Sequence, residues 1–221
     1  MDPLETELIR ARELSVAELA DAIESIGFEC TRCGACCTAE SDGSDHTATA
    51  FPDEIRRLQE QAGEAGAYDW RDVARPMPYG LTDGEDGPEG ETFEWALQTD
   101  SCGDCAFYEE SDGVGACTVH EDRPLICRTY PFSVALGGTS QPMGEAVDRD
   151  GIVRAHECEG LGRDISRADA EALAAALKER AIRELEEAIA VLGAYEPADP
   201  GTGEVVVHDS EGPKAPDGTR R

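Results

Sequence analysis

Apolar residues recur at helical spacing close to the start of the chain. Val16, Leu19, Ala20, Ile23 and Ile26 fall on one helical face. Ser15 stands where an N-cap would, and Glu18 three residues on completes a capping box. Leu14 and Leu19 are placed for a hydrophobic staple, and Gly27 ends the run. The spacing predicts a helical segment over 1–27 that delivers the chain to Phe28-Glu29-Cys30. A second periodic stretch runs near the other end, where Leu173, Leu177, Leu185, Ala188 and Leu192 approximate a stripe. With Ser166 as cap, Asp169 three residues later and Gly193 as a stop, it predicts a helix over 166–194.

Between these helices the pattern is short and irregular. A β-like segment surrounds His46 to Ala50, and Pro52-Asp53-Glu54 reads as a helix start with Ile55 and Leu58 facing inward. Polar stretches cover Thr38–Ser44 and Thr82–Glu91, the latter a Gly/Asp/Glu/Pro loop. Phe93, Trp95 and Leu97 then alternate with polar residues as in a half-buried strand. From Glu196 the composition turns to Pro, Gly and Asp, so 195–221 is expected to be mostly disordered, apart from a short strand at Val205-Val206-Val207. No internal repeat is visible. The expected fold is α+β: a small, irregular, metal-stabilised cysteine-cluster domain over 28–165, with the helices of 1–27 and 166–194 flanking it.

Charge changes the picture of possible partners. The 221 residues carry 19 Lys+Arg against 48 Asp+Glu, a formal net charge of −29. A phosphate backbone would meet a strongly negative potential, so nucleic acid is excluded as a partner, and anionic membranes are disfavoured in the same way. No apolar run approaches the roughly 18 residues a membrane helix needs. Lys178 and Lys214 are the only lysines among the cations. An acid-rich, lysine-poor surface suits hydration at molar salt, where the Debye length shrinks to roughly 3 Å, and it points to a halophile's protein. The start Met1-Asp2-Pro3-Leu4-Glu5 is acidic where a secretory signal would be basic and then apolar, so the expected location is the cytoplasm.

In a reducing compartment, clustered cysteines read as metal ligands or redox groups in preference to disulfides. Cys30, Cys33, Cys36 and Cys37 form a C-x2-C-x2-C-C run, followed by Cys102, Cys105, Cys117, Cys127 and Cys158. Two-residue spacings let neighbouring thiolates meet one ion, and thiolate is the usual soft donor for zinc and iron–sulfur centres. Adjacent cysteines seldom both address one tetrahedral ion without distortion, so Cys36 and Cys37 could serve two centres. The ferredoxin pattern C-x2-C-x2-C-x3-C-P is matched only in its first three cysteines. Cys102 and Cys105 form a further CxxC that reads as a redox pair, an alternative ligand pair or a coincidence. His120 and His156 are candidate nitrogen ligands, and Tyr130-Pro131-Phe132 reads as packing around the site.

Residues 30–158 resemble the YkgJ-type cysteine cluster family in order. The resemblance is carried by CxxCxxCC at the start, by Cys105-Ala106-Phe107-Tyr108, and by Cys117-Thr118-Val119-His120-Glu121-Asp122-Arg123-Pro124-Leu125-Ile126-Cys127-Arg128-Thr129-Tyr130-Pro131 with Cys158 beyond. Tyr108 replaces the usual leucine, Cys102 is an extra cysteine, and Cys158 lacks the usual following proline. The resemblance implies chelation of an iron–sulfur cluster or zinc by Cys30, Cys33, Cys36, Cys37, Cys105, Cys117, Cys127 and Cys158. A similar module accompanies methyl-transfer machinery in flagellin lysine methylases, but no glycine-rich nucleotide loop, G-x-x-x-x-G-K-[ST] or H-E-x-x-H is present here.

Arg32, Arg123 and Arg128 lie beside those cysteines, and their guanidinium groups could donate to thiolate sulfur. For Arg123 the competing role is an ion pair that fixes the turn before Pro124. No set of nucleophile, base and orienting group is visible. Two functions stand open: a redox or electron-transfer protein, and a structural zinc module that binds another protein or traffics metal.

Overall fold

The computed structural model describes residues 3–39, 44–63, 66–85, 87–136, 146–148 and 150–221. The fold is α+β, with several small sheets. Its helices are α1 (Pro3–Glu13), α2 (Val16–Ile26), α3 (Pro52–Glu60), α4 (Trp70–Val73), α5 (Leu125–Thr129) and α6 (Arg167–Ala194). No described helix is long and apolar enough to cross a membrane. The expected polar stretch Thr38–Ser44 lies partly outside the described residues.

The chain divides into two compact units. The first comprises Met1–Cys36, Glu110–Gly115 and Leu125–Glu186; the second comprises Cys37–Glu109, Ala116–Pro124 and Glu187–Arg221. In the first unit, the capping chemistry read from the sequence sets the helix starts. Ser15 Oγ accepts the Glu18 N–H at 3.3 Å, and Gly27 closes α2 at φ +77° by donating its N–H to the Ile23 carbonyl. Ser166 Oγ accepts the Asp169 N–H at 3.1 Å and donates to the Asp169 carboxylate at 2.6 Å. The apolar faces of α2 and α6 bury Leu19, Ile23, Leu177 and Leu185 against a three-stranded antiparallel sheet ordered Phe132–Val134, Val153–His156, Ala146–Asp148. That sheet supplies Phe132, Val134, Val153 and Ala155 to the core, and it ends two residues before Cys158.

The second unit departs from the sequence expectations in three places. Strand Trp95–Leu97 is buried on both faces, and it is the central strand of its sheet, between Thr49–Ala50 and Ala74–Pro76. Phe93, by contrast, stays 49% exposed. The Gly-rich stretch expected to be a loop forms a hairpin of Leu81–Gly84 with Gly87–Thr92. The tail expected to be mostly disordered supplies two strands, Val205–Asp209 and Gly212–Lys214. The first pairs in parallel with Gly87–Thr92 and is buried along its whole length. The short strand expected at Val205-Val206-Val207 is present. What the local pattern did not announce is that Gly87–Thr92, besides its own hairpin partner Leu81–Gly84, forms a ladder with that strand, more than 100 residues away.

A buried ionic cluster fixes the tail in that unit. Lys214 Nζ lies 2.7 Å from Asp209 Oδ2 and 2.7 Å from Glu211 Oε2, and 5.2 Å from the centre of the Trp70 ring. Trp95 Nε1 donates to the same Asp209 oxygen at 2.9 Å. Gly218, at φ +78°, passes so close to Trp70 that a Cβ there would lie 2.4 Å from the ring. A buried ion pair is stable only when its remaining donors and acceptors are satisfied, and the Trp95 donor, with Arg56 on Glu211, does that here.

Candidate metal centre

In the first unit the cysteine loop is anchored by backbone pairing. Phe28 bridges Leu161 in antiparallel register; the Glu29 N–H donates to the Gly160 carbonyl at 3.0 Å, and the Gly162 N–H to the Gly27 carbonyl at 3.0 Å. Cys30 and Cys158 thus emerge from two paired segments. Gly160 permits the approach, since a Cβ there would lie 2.3 Å from the Glu29 carbonyl oxygen. Beyond Cys30 the chain turns back on itself through two left-handed residues, Arg32 at φ +58° and Gly34 at φ +78°. Only a local advantage offsets that conformation for an arginine. The Arg32 carbonyl is fixed by the Gly115 N–H at 2.9 Å.

The electrostatics of the loop report a shared thiol neighbourhood. Burial pushes the Cys158 thiol pKa up; the Gly160 N–H, 3.4 Å from its sulfur, draws it down, and Cys36, Cys33 and Cys30 push it up again. Tyr130 is raised to about 12, first by burial and then by Cys158, Cys36, Glu157 and Cys33. Its hydroxyl donates to the Glu157 carbonyl beside Cys158. Negative charge repels negative charge, so the Cys158 thiol resists ionising beside those sulfurs unless a cation neutralises them. Cys30, Cys33 and Cys36 are exposed, and Cys158 is half-buried.

Cys127, also half-buried, lies on α5 in the same unit, and the end of that helix is clamped. Thr129 Oγ1 donates to the Leu125 carbonyl at 2.7 Å and accepts from Arg180 Nη1 at 3.1 Å; Arg180 Nη1 also reaches the Phe132 carbonyl at 3.4 Å, and its Nε reaches Glu184 at 2.6 Å. The guanidinium is buried. Sequence reasoning missed this residue. Its signal is an arginine three residues after Leu177 on the apolar stripe of α6, with a glutamate four residues on.

Cys37, Cys102, Cys105 and Cys117 belong to the second unit. The Cys105 N–H donates to the Cys37 carbonyl at 2.8 Å. Asp100 Oδ1 accepts from the Cys102 N–H at 2.7 Å and the Asp104 N–H at 3.1 Å, and Asp104 Oδ1 accepts from the Ala39 N–H at 2.7 Å. Gly103 turns at φ +85°, and its carbonyl accepts the His46 N–H at 2.9 Å. Thr118, next to Cys117, donates its N–H to the Phe107 carbonyl at 2.9 Å. His46 was not singled out by the sequence; burial, with Arg75, lowers it to about 4, against a smaller opposing effect of Asp104.

The remaining candidates go elsewhere. His120 is exposed, with Nδ1 3.2 Å from Glu121, and His156 is buried with Nε2 2.8 Å from Ser133 Oγ. Arg123 Nε donates to the His120 carbonyl at 2.9 Å, which fixes the turn before Pro124 by a hydrogen bond to the backbone. Arg32 and Arg128 are exposed.

The full CxxCxxCC, C-x-F and C-x9-C runs therefore lie on ordered loops and short elements. The chain belongs to the CxxCxxCC family. Its description reads "Putative zinc- or iron-chelating domain", and it matches residues 29–181. No curated protein and no solved structure matches the chain. Membership in the CxxCxxCC family supports metal binding without naming the metal. The donor chemistry fits such an ion: soft thiols in number, one with a backbone N–H directed at its sulfur. Among the described residues, no three Cys, His, Asp or Glu side chains are closed to coordinating geometry.

Proposed function

We propose that this CxxCxxCC protein is a metal-binding protein with a redox or electron-transfer role, in which Cys30, Cys33, Cys36, Cys37, Cys105, Cys117, Cys127 and Cys158 supply the thiolates for iron–sulfur ligation. The observation that carries this reading is the pairing of Gly27–Glu29 with Gly160–Gly162, which brings the Cys30 loop beside Cys158. An iron–sulfur centre, when bound, supplies one-electron transfer with a potential tuned by hydrogen bonds to sulfur and by solvent exposure. The Gly160 N–H is one such donor, and the half-buried Tyr130 stands beside the same thiols. The setting we propose is the cytoplasm of a salt-rich cell, without nucleic acid or membrane as partner.

The exposure of Cys30, Cys33 and Cys36 favours a second reading, in which the module holds zinc for structure or hands it to another protein. Anaerobic purification in high salt, followed by metal and sulfide analysis with absorption and EPR spectra, separates the two. Brown protein with stoichiometric iron and sulfide supports the redox reading. Colourless protein with bound zinc supports the second, and protein that retains neither metal overturns both.

A further inference from the structure

We infer that the thiols form two ligand sets divided between Cys36 and Cys37, and that Cys102, outside the family's eight-cysteine pattern, completes the second set with Cys37, Cys105 and Cys117. The inference rests on the metal-binding reading above and assigns its ligands.

The division follows the backbone. The boundary between the compact units falls between the two adjacent cysteines. On one side, Cys30, Cys33, Cys36, Cys127 and Cys158 share the first unit, where the Glu29 to Gly160 and Gly162 to Gly27 hydrogen bonds hold the Cys30 loop against the Cys158 segment. On the other side, the Cys37 carbonyl takes the Cys105 N–H, and the next residues are tied to the same loop through Ala39 and Asp104. Nothing in that network requires Cys37 to follow Cys36 into the first set.

Cys102 enters through the count and the loop. Without it the second unit holds three thiols, one fewer than a closed tetrahedral thiolate site needs. With it, Cys102-Gly103-Asp104-Cys105 becomes a two-ligand turn. Gly103 takes the left-handed conformation such a turn needs at φ +85°, and Asp100 holds the Cys102 and Asp104 N–H groups on one carboxylate oxygen. A side chain at Gly103 would lie 2.8 Å from Asp45 Oδ1, so the turn is packed in place. Cys117 follows through Thr118, whose N–H is bonded to the Phe107 carbonyl two residues beyond Cys105. The ligand class for four thiolates at such a site is a tetrahedral divalent ion of zinc type.

The test titrates Co2+ as probe into the reduced, metal-free full chain in high salt, reading thiolate-to-cobalt charge-transfer and ligand-field absorption. The wild-type chain is expected to take up about two ions in tetrahedral thiolate sites. Cys37→Ser should lose the second set's uptake step and keep the first, whereas Cys36→Ser, which leaves the second set whole and Cys30, Cys33, Cys127 and Cys158 in its own, should keep the second set's step. Cys102→Ser should lose the same step as Cys37→Ser. In parallel, alkylation of the zinc-loaded wild-type chain, followed by mass mapping, should find Cys102 protected, a readout independent of how any variant folds. Full uptake by Cys102→Ser together with rapid alkylation of Cys102 overturns its assignment. Loss of the same step by Cys36→Ser and Cys37→Ser overturns the division, and a wild-type chain that binds no metal at all overturns the underlying metal reading first.

Discussion

Burial does more to His46 than any charge near it. The imidazole is held down at about 4 in the folded chain, against about 6.5 for a free histidine. Below the free value the unfolded chain takes up a proton that the folded chain refuses, so stability is complete above about 6.5 and falls as the pH drops toward 4. Glu211 adds a second window further down. Its hydrogen bond from Arg56 draws it to about 2; burial opposes this, and Lys214 helps. Its contribution is present above the ordinary glutamate pKa of about 4.3 and is lost as the pH falls through 2. Urea midpoints measured from pH 7 to 3 in high salt should therefore decline in two stages. His46→Gln should flatten the stage between about 6.5 and 4 and leave the lower one; an unchanged upper stage would remove His46 as its source.

At the scale of elements, the contact that matters most is the short pairing of 27–29 with 160–162. It leaves no room at Gly160, where any Cβ meets the Glu29 carbonyl. Gly160→Ala should force the two segments apart, with an overpacking cost of about 1–3 kcal/mol, and should weaken metal uptake in the Cys30 loop. Gly162→Ala is the control for strained glycine in the same turn, since Gly162 has φ +75° but open space at its Cβ position. Thermal melts and metal content of the two variants check this. Equal metal content in Gly160→Ala and the wild type would show that the pairing does not position the ligands. The helices and the pairing differ in how they could be read. Ser15, Glu18, Gly27 and the period of α2 are local signals, and helix ends are decided by groups within one turn. The register of Phe28 on Leu161 depends on residues far apart in the chain, and no local pattern announces it.

Over the whole molecule the charge of −29 sets the response to salt. The cations that remain are committed to internal roles in several places: Arg167 joins Asp21, Glu24 and Glu171, and Lys178 donates to the Leu14 carbonyl at 2.7 Å. Lys214 is buried among Asp209, Glu211 and Trp70. Neither lysine serves as a freely hydrated surface charge. Raising salt from about 0.1 M to molar concentration shortens the screening length from about 10 Å to about 3 Å. The melting temperature should rise over that range, as measured by circular dichroism, and a flat or falling curve would contradict a surface built for salt. Lys214→Met should lower the midpoint at every salt concentration, because it leaves Asp209 buried without its cation.

What the amino-acid sequence determined by itself was whatever chemistry is local or compositional. The capped helices at both ends, the cysteine spacings and the family all follow from residues read within a turn or along the motif. The tail strand shows the limit. Val205-Val206-Val207 carried a strand signal, but its burial depended on Gly87–Thr92, a stretch whose glycines and acids read as loop. The assignment of Cys36 and Cys37 to different units was likewise beyond spacing alone. Which cysteines lie near one another is decided by backbone hydrogen bonds between distant segments, Glu29 with Gly160 and Cys37 with Cys105, and those form only when the chain has folded.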